Sequence, residues 1–487
     1  MRVALPWLAV LAGAAAWGCG GGAERPATDK PASTLAATWV DGDGDGVLEV
    51  GPGEPLRDRT ELARAAAPGR ELASFAQITD AHLADEESPA RPTFLDRLGT
   101  PFTSAFRPQE ALAPQVLAAT LRSVNATRVQ ALVVTGDLID NAQSNELEQA
   151  LAVLRGGRVD PSSGARRYEG VQQRRGADPF YYRPGVDAPR KAGLLAAAQR
   201  PFRSPGARAP WFPLGGNHDL LVQGELGPRP ATRALALGGR AVETLEREQL
   251  DRLPDDAGFD PATVDAFVRE RLAGRTVRRT PDPGRRELAA GEAVARLRAA
   301  SGRGGARERL DYAFDIGPSL RAIALDVVAR AGGSQGVVDP EQAAWLEAEL
   351  ARAGSRWVVV LSHQPLASSA GGAQLLALLD ASPQVVATVA GHTHRNAIEP
   401  RTSPAGGYWQ ITTSSLVDHP QQARELRLVE TAGGVAIETW MLDHGRGPRG
   451  LAADSRELAF LDAQGGRPRG FAGQTRDRNA RLFLARP

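Results

Sequence analysis

Apolar runs that end in short polar motifs are the feature that most restricts the fold of this chain. Runs of this kind, rich in Val, Leu, Ile, Ala or Phe, lie at 72–79, 129–135, 211–214, 357–361 and 385–390. Helical spacing of apolar residues separates them at 110–126 and 144–154, and a helix is predicted to begin at Pro340 behind the cap Asp339. Strands that alternate with helices predict an α/β protein.

The motifs behind these runs share one kind of chemistry. In chain order they are Asp80-Ala81-His82, Gly136-Asp137, Gly216-Asn217-His218-Asp219, His363 and Gly391-His392-Thr393-His394. Because ligands gather outside the carboxyl ends of strands in an α/β sheet, we expect these motifs to meet at one place. The glycines before Asp137, Asn217 and His392 predict tight turns and a close approach of the backbone.

Histidine is concentrated in these motifs. The chain has 7 His, and five of them lie in the motifs. Imidazole and carboxylate groups together suit Mn, Fe or Zn, and the donors outnumber the needs of one ion, so two ions could be held if one carboxylate bridges them. Taken singly, each His could instead be structural. His419 and His444 match no motif and are expected in loops or at the surface, and Asp140 is expected to cap a helix.

The ordered set of five motifs resembles the calcineurin-like metallophosphoesterase superfamily over about residues 72–440. The resemblance implies a metallophosphoesterase-type four-layer α/β/β/α sandwich with two large insertions. It also implies a dinuclear phosphoesterase in which a metal-bound hydroxide attacks a phosphomonoester or a phosphodiester. The cofactors would be two divalent or trivalent ions of Mn, Fe or Zn, and the substrate a small phosphate ester.

The resemblance further implies a role for each motif side chain. The expected metal ligands are Asp80, His82 and His394 for a first ion, Asn217, His363 and His392 for a second ion, and Asp137 as the bridge between them. His218 would donate a proton to the leaving oxygen or stabilise the phosphate. Asp219 would orient His218 through the other ring nitrogen.

The N-terminal segment has the pattern of a secretory signal. A basic residue, an apolar run and small residues lead to Cys19, the single Cys of the chain. The small residues before Cys19 and the glycines after it resemble a bacterial lipobox, so the prediction is export, either as a cell-envelope lipoprotein anchored at Cys19 or as a secreted protein. An ordinary cleaved signal with an incidental Cys is the alternative.

The rest of the chain divides by composition. Residues 20–71 are predicted to form a tether and an acidic Gly-rich segment, 72–445 the metallophosphoesterase domain with insertions at about 158–209 and 222–307, and 446–487 a weakly patterned tail. Asp41, Asp43 and Asp45 alternate with glycines as in a calcium loop, and a structural calcium site or a flexible acidic turn would both fit.

Charge adds one constraint on partners. The chain has 58 basic and 57 acidic residues, which gives no indication of a nucleic-acid partner. The resemblance leaves two function classes open: a metal-dependent phosphoesterase, or a non-catalytic, metal-stabilised envelope protein that retains the fold.

Overall fold

The computed structural model describes residues 32–98, 102–173, 178–242, 266, 276–303, 308–465 and 470–485. The predicted signal segment 1–19, Cys19 and the first part of the tether lie outside the described residues. Within the described ranges, no helix combines the length and the apolar character needed to cross a membrane.

The strands of the described residues are β1 (Ala37–Val40), β2 (Glu49–Pro52), β3 (Arg57–Arg59), β4 (Glu71–Ile78), β5 (Ala131–Val134), β6 (Gly157–Val159), β7 (Phe202–Ser204), β8 (Trp211–Pro213), β9 (Arg240–Ala241), β10 (Val277–Arg278), β11 (Tyr312–Ile316), β12 (Leu320–Leu325), β13 (Trp357–Ser362), β14 (Val385–Ala390), β15 (Ala397–Arg401), β16 (Tyr408–Thr412), β17 (Gln422–Thr431), β18 (Gly434–Asp443) and β19 (Ala480–Ala485).

The α-helices whose bounds lie within the described residues are α1 (Ala113–Thr127), α2 (Ser144–Arg155), α3 (Leu194–Ala198), α4 (Asn217–Leu220), α5 (Pro230–Leu237), α6 (Ala290–Ala300), α7 (Pro340–Ala353), α8 (Gly372–Asp380), α9 (Leu451–Gly465) and α10 (Thr475–Arg478). Helix α7 begins as its sequence predicts, since the Asp339 side chain accepts the N–H of Glu341 and Pro340 occupies the first turn.

Two mixed sheets form the centre of the protein. The larger has the strand order β3-β19-β18-β17-β4-β5-β8, and the smaller has the order β11-β12-β13-β14-β16-β15. Strands β4, β5 and β8 run parallel, as do β12, β13, β14 and β16. The carboxyl ends of each parallel set therefore share one edge, which is where the motifs lie.

The two sheets pack face to face, and helices cover their outer faces. Phe212 of β8 stacks on Phe314 of β11 with ring centroids 3.6 Å apart, and these side chains belong to one apolar cluster that joins the sheets. Apolar residues of α1 and α2 pack on the other face of the larger sheet, and those of α7 and α8 pack on the smaller sheet. The predicted four-layer α/β/β/α sandwich is confirmed.

A buried polar network connects the sheets below the motif-bearing edge. The Gln77 side chain of β4 donates to Thr135 Oγ1 at 2.8 Å and to the main-chain oxygen of Ala390 at 3.0 Å, and it accepts from Thr413 Oγ1 at 2.6 Å. Arg424 of β17 donates to the same Thr413 hydroxyl at 2.8 Å. Since buried polar groups are costly without partners, this network fixes the relative position of the two sheets.

The segment beyond 445 is part of the sandwich, in contrast to the weakly patterned tail expected from sequence. Strand β19 pairs antiparallel with β18 and parallel with β3, so both it and residues 57–59 belong to the larger sheet. Helix α9 packs beside α1. Gly- and Arg-rich stretches separate these elements, so the sequence pattern does not indicate them. In the described parts of the two insertions lie β6, β7, α3, α5, β9, β10 and α6.

Candidate metal centre

The five motifs meet at the shared carboxyl edge of the two sheets. Asp80 follows β4, Asp137 follows β5, Asn217 opens the short helix behind β8, His363 follows β13 and His392 follows β14. Donor atoms of these motif residues lie within 4.8 Å of one another in three overlapping groups. The expectation that distant loops converge on one place is confirmed by this geometry.

The first donor group consists of Asp80, His82 and His394. The Nε2 atom of His394 lies 3.3 Å from Asp80 Oδ1 and 3.3 Å from His82 Nε2. The Nδ1 atoms point away from this centre, because that of His82 is 2.9 Å from an oxygen of Asp140. Three ligand atoms therefore face a common point, as an ion would require.

The second donor group consists of Asn217, His363 and His392. The Nε2 atom of His363 lies 3.1 Å from Asn217 Oδ1, and the amide nitrogen of Asn217 donates to the main-chain oxygen of Gly224. That contact sets the amide with its oxygen toward the group. The Nδ1 atom of His363 is 2.8 Å from the main-chain oxygen of Thr135, which leaves Nε2 to face the centre.

Asp137 lies between the two donor groups. Its Oδ2 atom is 3.1 Å from His363 Nε2 and 3.7 Å from His82 Nε2, and its Oδ1 atom accepts the main-chain N–H of His218. One carboxylate oxygen is thus shared by both groups. This is the position that the predicted bridge between two ions needs.

Backbone strain is concentrated at the predicted ligands. Five of them have positive φ angles: Asp80 (51°), His82 (43°), Asp137 (48°), His392 (66°) and His394 (55°). Such angles are rare for residues other than glycine and cost about 1–3 kcal/mol each. They turn alternating side chains such as those of His392 and His394 inward together, which a regular strand cannot do.

The glycines of the motifs are required by space. A Cβ on Gly136 would lie 2.6 Å from His363 Nδ1, and one on Gly391 would lie 2.5 Å from Asp80 Oδ2. Gly136 also has a φ of +94°. The close approach predicted from the sequence is therefore present, and it brings the ligand-bearing loops together.

His218 and Asp219 differ from expectation in their contacts. The Nδ1 atom of His218 is 2.8 Å from the main-chain oxygen of Asp140. The carboxylate of Asp219 instead accepts main-chain N–H groups from Leu138, Ile139 and Gly216. The predicted orientation of His218 by Asp219 is wrong, because Asp219 is the third residue of a helical turn and caps the N–H that precedes it.

Asp219 therefore fixes the loop that carries Asp137. Burial and the nearby Asp137 charge raise the pKa of Asp219 to about 7, against the effect of its main-chain donors. Asp140, expected as a helix cap, is fully buried and contacts His82 and Arg91. It supports a predicted ligand.

Two buried residues behind the site were not identified from sequence. Asp418 Oδ2 is 2.5 Å from His394 Nδ1, and Arg107 donates from Nε to Asp418 Oδ1 at 2.8 Å. Both side chains are almost fully buried. No motif marks either residue, since they lie in separate loops far apart in the sequence.

The electrostatics of the centre favour positive charge. Burial alone would raise the pKa of the Asp80 and Asp137 carboxyls, but the neighbouring imidazoles lower both. Burial alone would likewise lower the pKa of His363 and His394, whereas Asp137 and Asp80 respectively raise each to about 9. A bound cation would be attracted by the same two carboxylates, those of Asp80 and Asp137.

The other three imidazoles of the centre divide by their surroundings. Burial and a neighbouring charged imidazole lower the pKa of His82 and of His392 to about 4. The neighbour is His218 for His82 and His363 for His392. For His218, burial is outweighed by Asp137 and Asp140, and its pKa is raised to about 10. Neutral imidazoles at His82 and His392 suit metal ligation, which requires the unprotonated ring.

Two further expectations concern residues away from this centre. Asp41, Asp43 and Asp45 lie close together in the loop between β1 and β2, so the calcium site stays a prediction. His419 and His444 both lie in loops, as expected; His444 is buried directly after β18, and His419 packs its ring edge against Phe460 of α9. Neither His belongs to a donor group of the described residues.

Comparison with known proteins gives structural neighbours only. No family model and no curated protein matches the chain. Among solved structures, the chain is similar to a dimetal phosphatase from Danio rerio at 15% identity and a TM-score of 0.40, covering 77% of this chain and 98% of that one. It is also similar to PhoD at 12% identity and a TM-score of 0.33, covering 82% and 71%.

The donor set itself fits two ions. It supplies nitrogen and oxygen ligands at two adjoining points, with one carboxylate between them. The five motifs that resemble those of the calcineurin-like metallophosphoesterase superfamily therefore converge on one candidate metal centre.

Proposed function

We propose that this chain is a dinuclear metal-dependent phosphoesterase that hydrolyses a phosphomonoester or a phosphodiester. The single observation that carries the proposal is the position of Asp137, whose Oδ2 atom faces imidazoles of both donor groups. A structural metal site is normally closed by four ligands around one ion. Two adjoining groups that share a carboxylate are instead the arrangement used for in-line displacement at phosphorus.

Bound ions would supply charge neutralisation for the phosphoryl group and a nucleophile near neutral pH. The protein's own residues hold and orient these ligands. Asp80, His82 and His394 would hold one ion, and Asn217, His363 and His392 the other. His218 is partly exposed beside them, with its Nδ1 proton directed to the Asp140 carbonyl. We propose that its other nitrogen donates to the leaving oxygen.

Metal analysis and hydrolysis assays test this proposal together. The purified protein should bind two ions per chain and turn over p-nitrophenyl phosphate or bis(p-nitrophenyl) phosphate with Mn, Zn or Fe. Asp137→Asn should lose both ions and nearly all activity, because the amide cannot bridge two cations as a carboxylate does. Retention of two ions by this variant would refute the bridging role.

Asp443→Asn is the matched control. Asp443 is also buried, but it hydrogen-bonds Gln422 of the neighbouring strand β17 and not a predicted ligand, so we expect Asp443→Asn to keep both ions and full activity. If the protein binds two ions but hydrolyses neither substrate, the non-catalytic envelope protein becomes the better hypothesis.

We further propose export, with Cys19 as a lipid anchor. The support is the signal-like sequence of residues 1–19 and the glycines behind it. Cell fractionation should place the protein in the envelope, and Cys19→Ala should abolish incorporation of a labelled fatty acid. Fatty-acid labelling that persists in Cys19→Ala would refute the anchor, and retention in the cytoplasm would refute export.

A further inference from the structure

Each imidazole of the first donor group is supported by a buried carboxylate that is itself paired with a buried arginine. Behind His394 lie Asp418 and Arg107, as described above. Behind His82 lies Asp140, whose Oδ2 atom is 3.2 Å from Arg91 Nη2. The two arrangements have the same order of groups, although they come from different loops.

Glu110 connects the two arrangements. It binds Arg91 through two hydrogen bonds of 2.7 and 2.9 Å, and its Oε2 atom also accepts the main-chain N–H of Arg107 at 3.1 Å. All three side chains are at least 95% buried. The described residues 91–98 and 102–110 lie between β4 and α1 and supply both guanidinium groups, so they form the floor behind the first donor group.

The second donor group lacks an equivalent charged support at His363. The Nδ1 atom of that ring faces the neutral main-chain oxygen of Thr135. A carboxylate behind an imidazole fixes its orientation and tautomer and increases its basicity as a ligand. The described contacts therefore give the first donor group a stronger and more rigid support.

We propose that Asp418, held by Arg107, is a positioning residue for His394. Asp418 accepts a hydrogen bond from Nδ1–H of His394 and so keeps Nε2 directed at the first ion, while Arg107 holds the Asp418 carboxylate in place. Arg107 acts only through Asp418, because its guanidinium contacts that carboxylate and not the imidazole. The inference rests on the proposed dinuclear site and adds to it two residues that no motif contains.

The test is binding of Mn²⁺ and Co²⁺ to the full chain, measured by calorimetry and by the visible spectrum of the Co²⁺ form. Asp418→Asn keeps the size of the side chain and removes the charge, and Arg107→Gln removes the guanidinium that holds Asp418 without touching a ligand. Both should weaken binding of one ion by about 10–100-fold and change the Co²⁺ spectrum. The double variant should be no weaker than Asp418→Asn alone, since the two residues act in series.

Asp85→Asn provides a matched control. Asp85 and Arg285 form an ion pair of the same kind, with a 2.8 Å contact from Nε and both side chains buried, and Asp85 hydrogen-bonds Asn145 and Ser163 rather than a predicted ligand. It should keep wild-type metal affinity and spectrum, although its thermal stability falls.

Three outcomes would overturn the inference: an unchanged affinity and spectrum in Asp418→Asn, an equal loss of affinity in Asp85→Asn, or additive losses in the double variant. These outcomes leave the proposed phosphoesterase activity standing, because the wild type would still bind two ions. A wild type that binds neither Mn²⁺ nor Co²⁺ would overturn both this inference and the proposed function.

Discussion

Replacement of Gly136 by alanine tests whether close packing of the loops builds the metal centre. The new Cβ would lie 2.6 Å from His363 Nδ1 and 2.8 Å from the nitrogen of Gly216, where ordinary contact begins at 3.4 Å. The imidazole or its loop must therefore shift by about 0.8 Å, which would disturb the 2.8 Å hydrogen bond of Nδ1 to Thr135.

Gly157→Ala is the control that separates this contact from backbone strain. Gly136 and Gly157 have nearly equal φ angles of +94° and +96°, but a Cβ on Gly157 would have no atom within 4 Å. Both variants should lose about 1–3 kcal/mol of unfolding free energy from the positive φ alone. The consequences for the metal centre should appear only in Gly136→Ala.

The expected difference between the two variants is large. A displacement near 1 Å in a catalytic arrangement costs about 100-fold in rate, so Gly136→Ala should lose about two orders of magnitude in hydrolysis of p-nitrophenyl phosphate and release the ion that His363 is proposed to hold. Gly157→Ala should keep two ions and wild-type kcat. Metal analysis, steady-state kinetics and thermal unfolding measure these quantities. Equal metal content and equal kcat in the two variants would refute the packing argument.

Two further predictions concern the frame around the site. Gln77→Leu should lower the free energy of unfolding by about 3 kcal/mol, because it removes three buried hydrogen bonds, two of which join the two sheets; a wild-type midpoint in urea would contradict this. His444 has its pKa lowered from 6.5 to about 3 by burial and the charge of Arg456. Between those values the folded state binds fewer protons than the unfolded state, so stability present above pH 6.5 is lost on acidification at about 1.4 kcal/mol per pH unit. Between pH 7.5 and 5, the free energy of unfolding of His444→Leu should therefore decrease by about 2 kcal/mol less than that of the wild type, with a metal chelator present in both samples. Equal decreases would contradict this prediction.

The strands and the metal-ligand motifs were predictable because both leave local signals. Strand β14 was expected at 385–390 and is found at Val385–Ala390, and β13 differs from its expected bounds by one residue. The polar residue that follows each apolar run marks the functional edge, since parallel strands place their carboxyl ends together. Asp80 and His363 could therefore be assigned to one site without knowledge of the loops between them.

The supporting contacts were not predictable, since they depend on where separate loops lie in the folded chain. Arg107 and Asp418 are 311 residues apart and carry no motif. The resemblance assigns Asp219 to His218, but its Oδ2 atom caps the local turn and its Oδ1 atom accepts the main-chain N–H of Leu138 in a distant loop. In each case the contact depends on a competing or distant hydrogen-bond partner, and the sequence pattern does not identify that partner.

Strand β19 has a consequence for how the protein is made. It lies inside the larger sheet, with β18 on one side and β3 on the other. A nascent chain that has emerged only as far as β18 exposes the unpaired edge of that strand, and residues 57–59 have no neighbour to join. We therefore expect the larger sheet to be completed only after residue 485 has been synthesised. Until then, we expect the chain to depend on chaperones to avoid aggregation through the exposed strand edge.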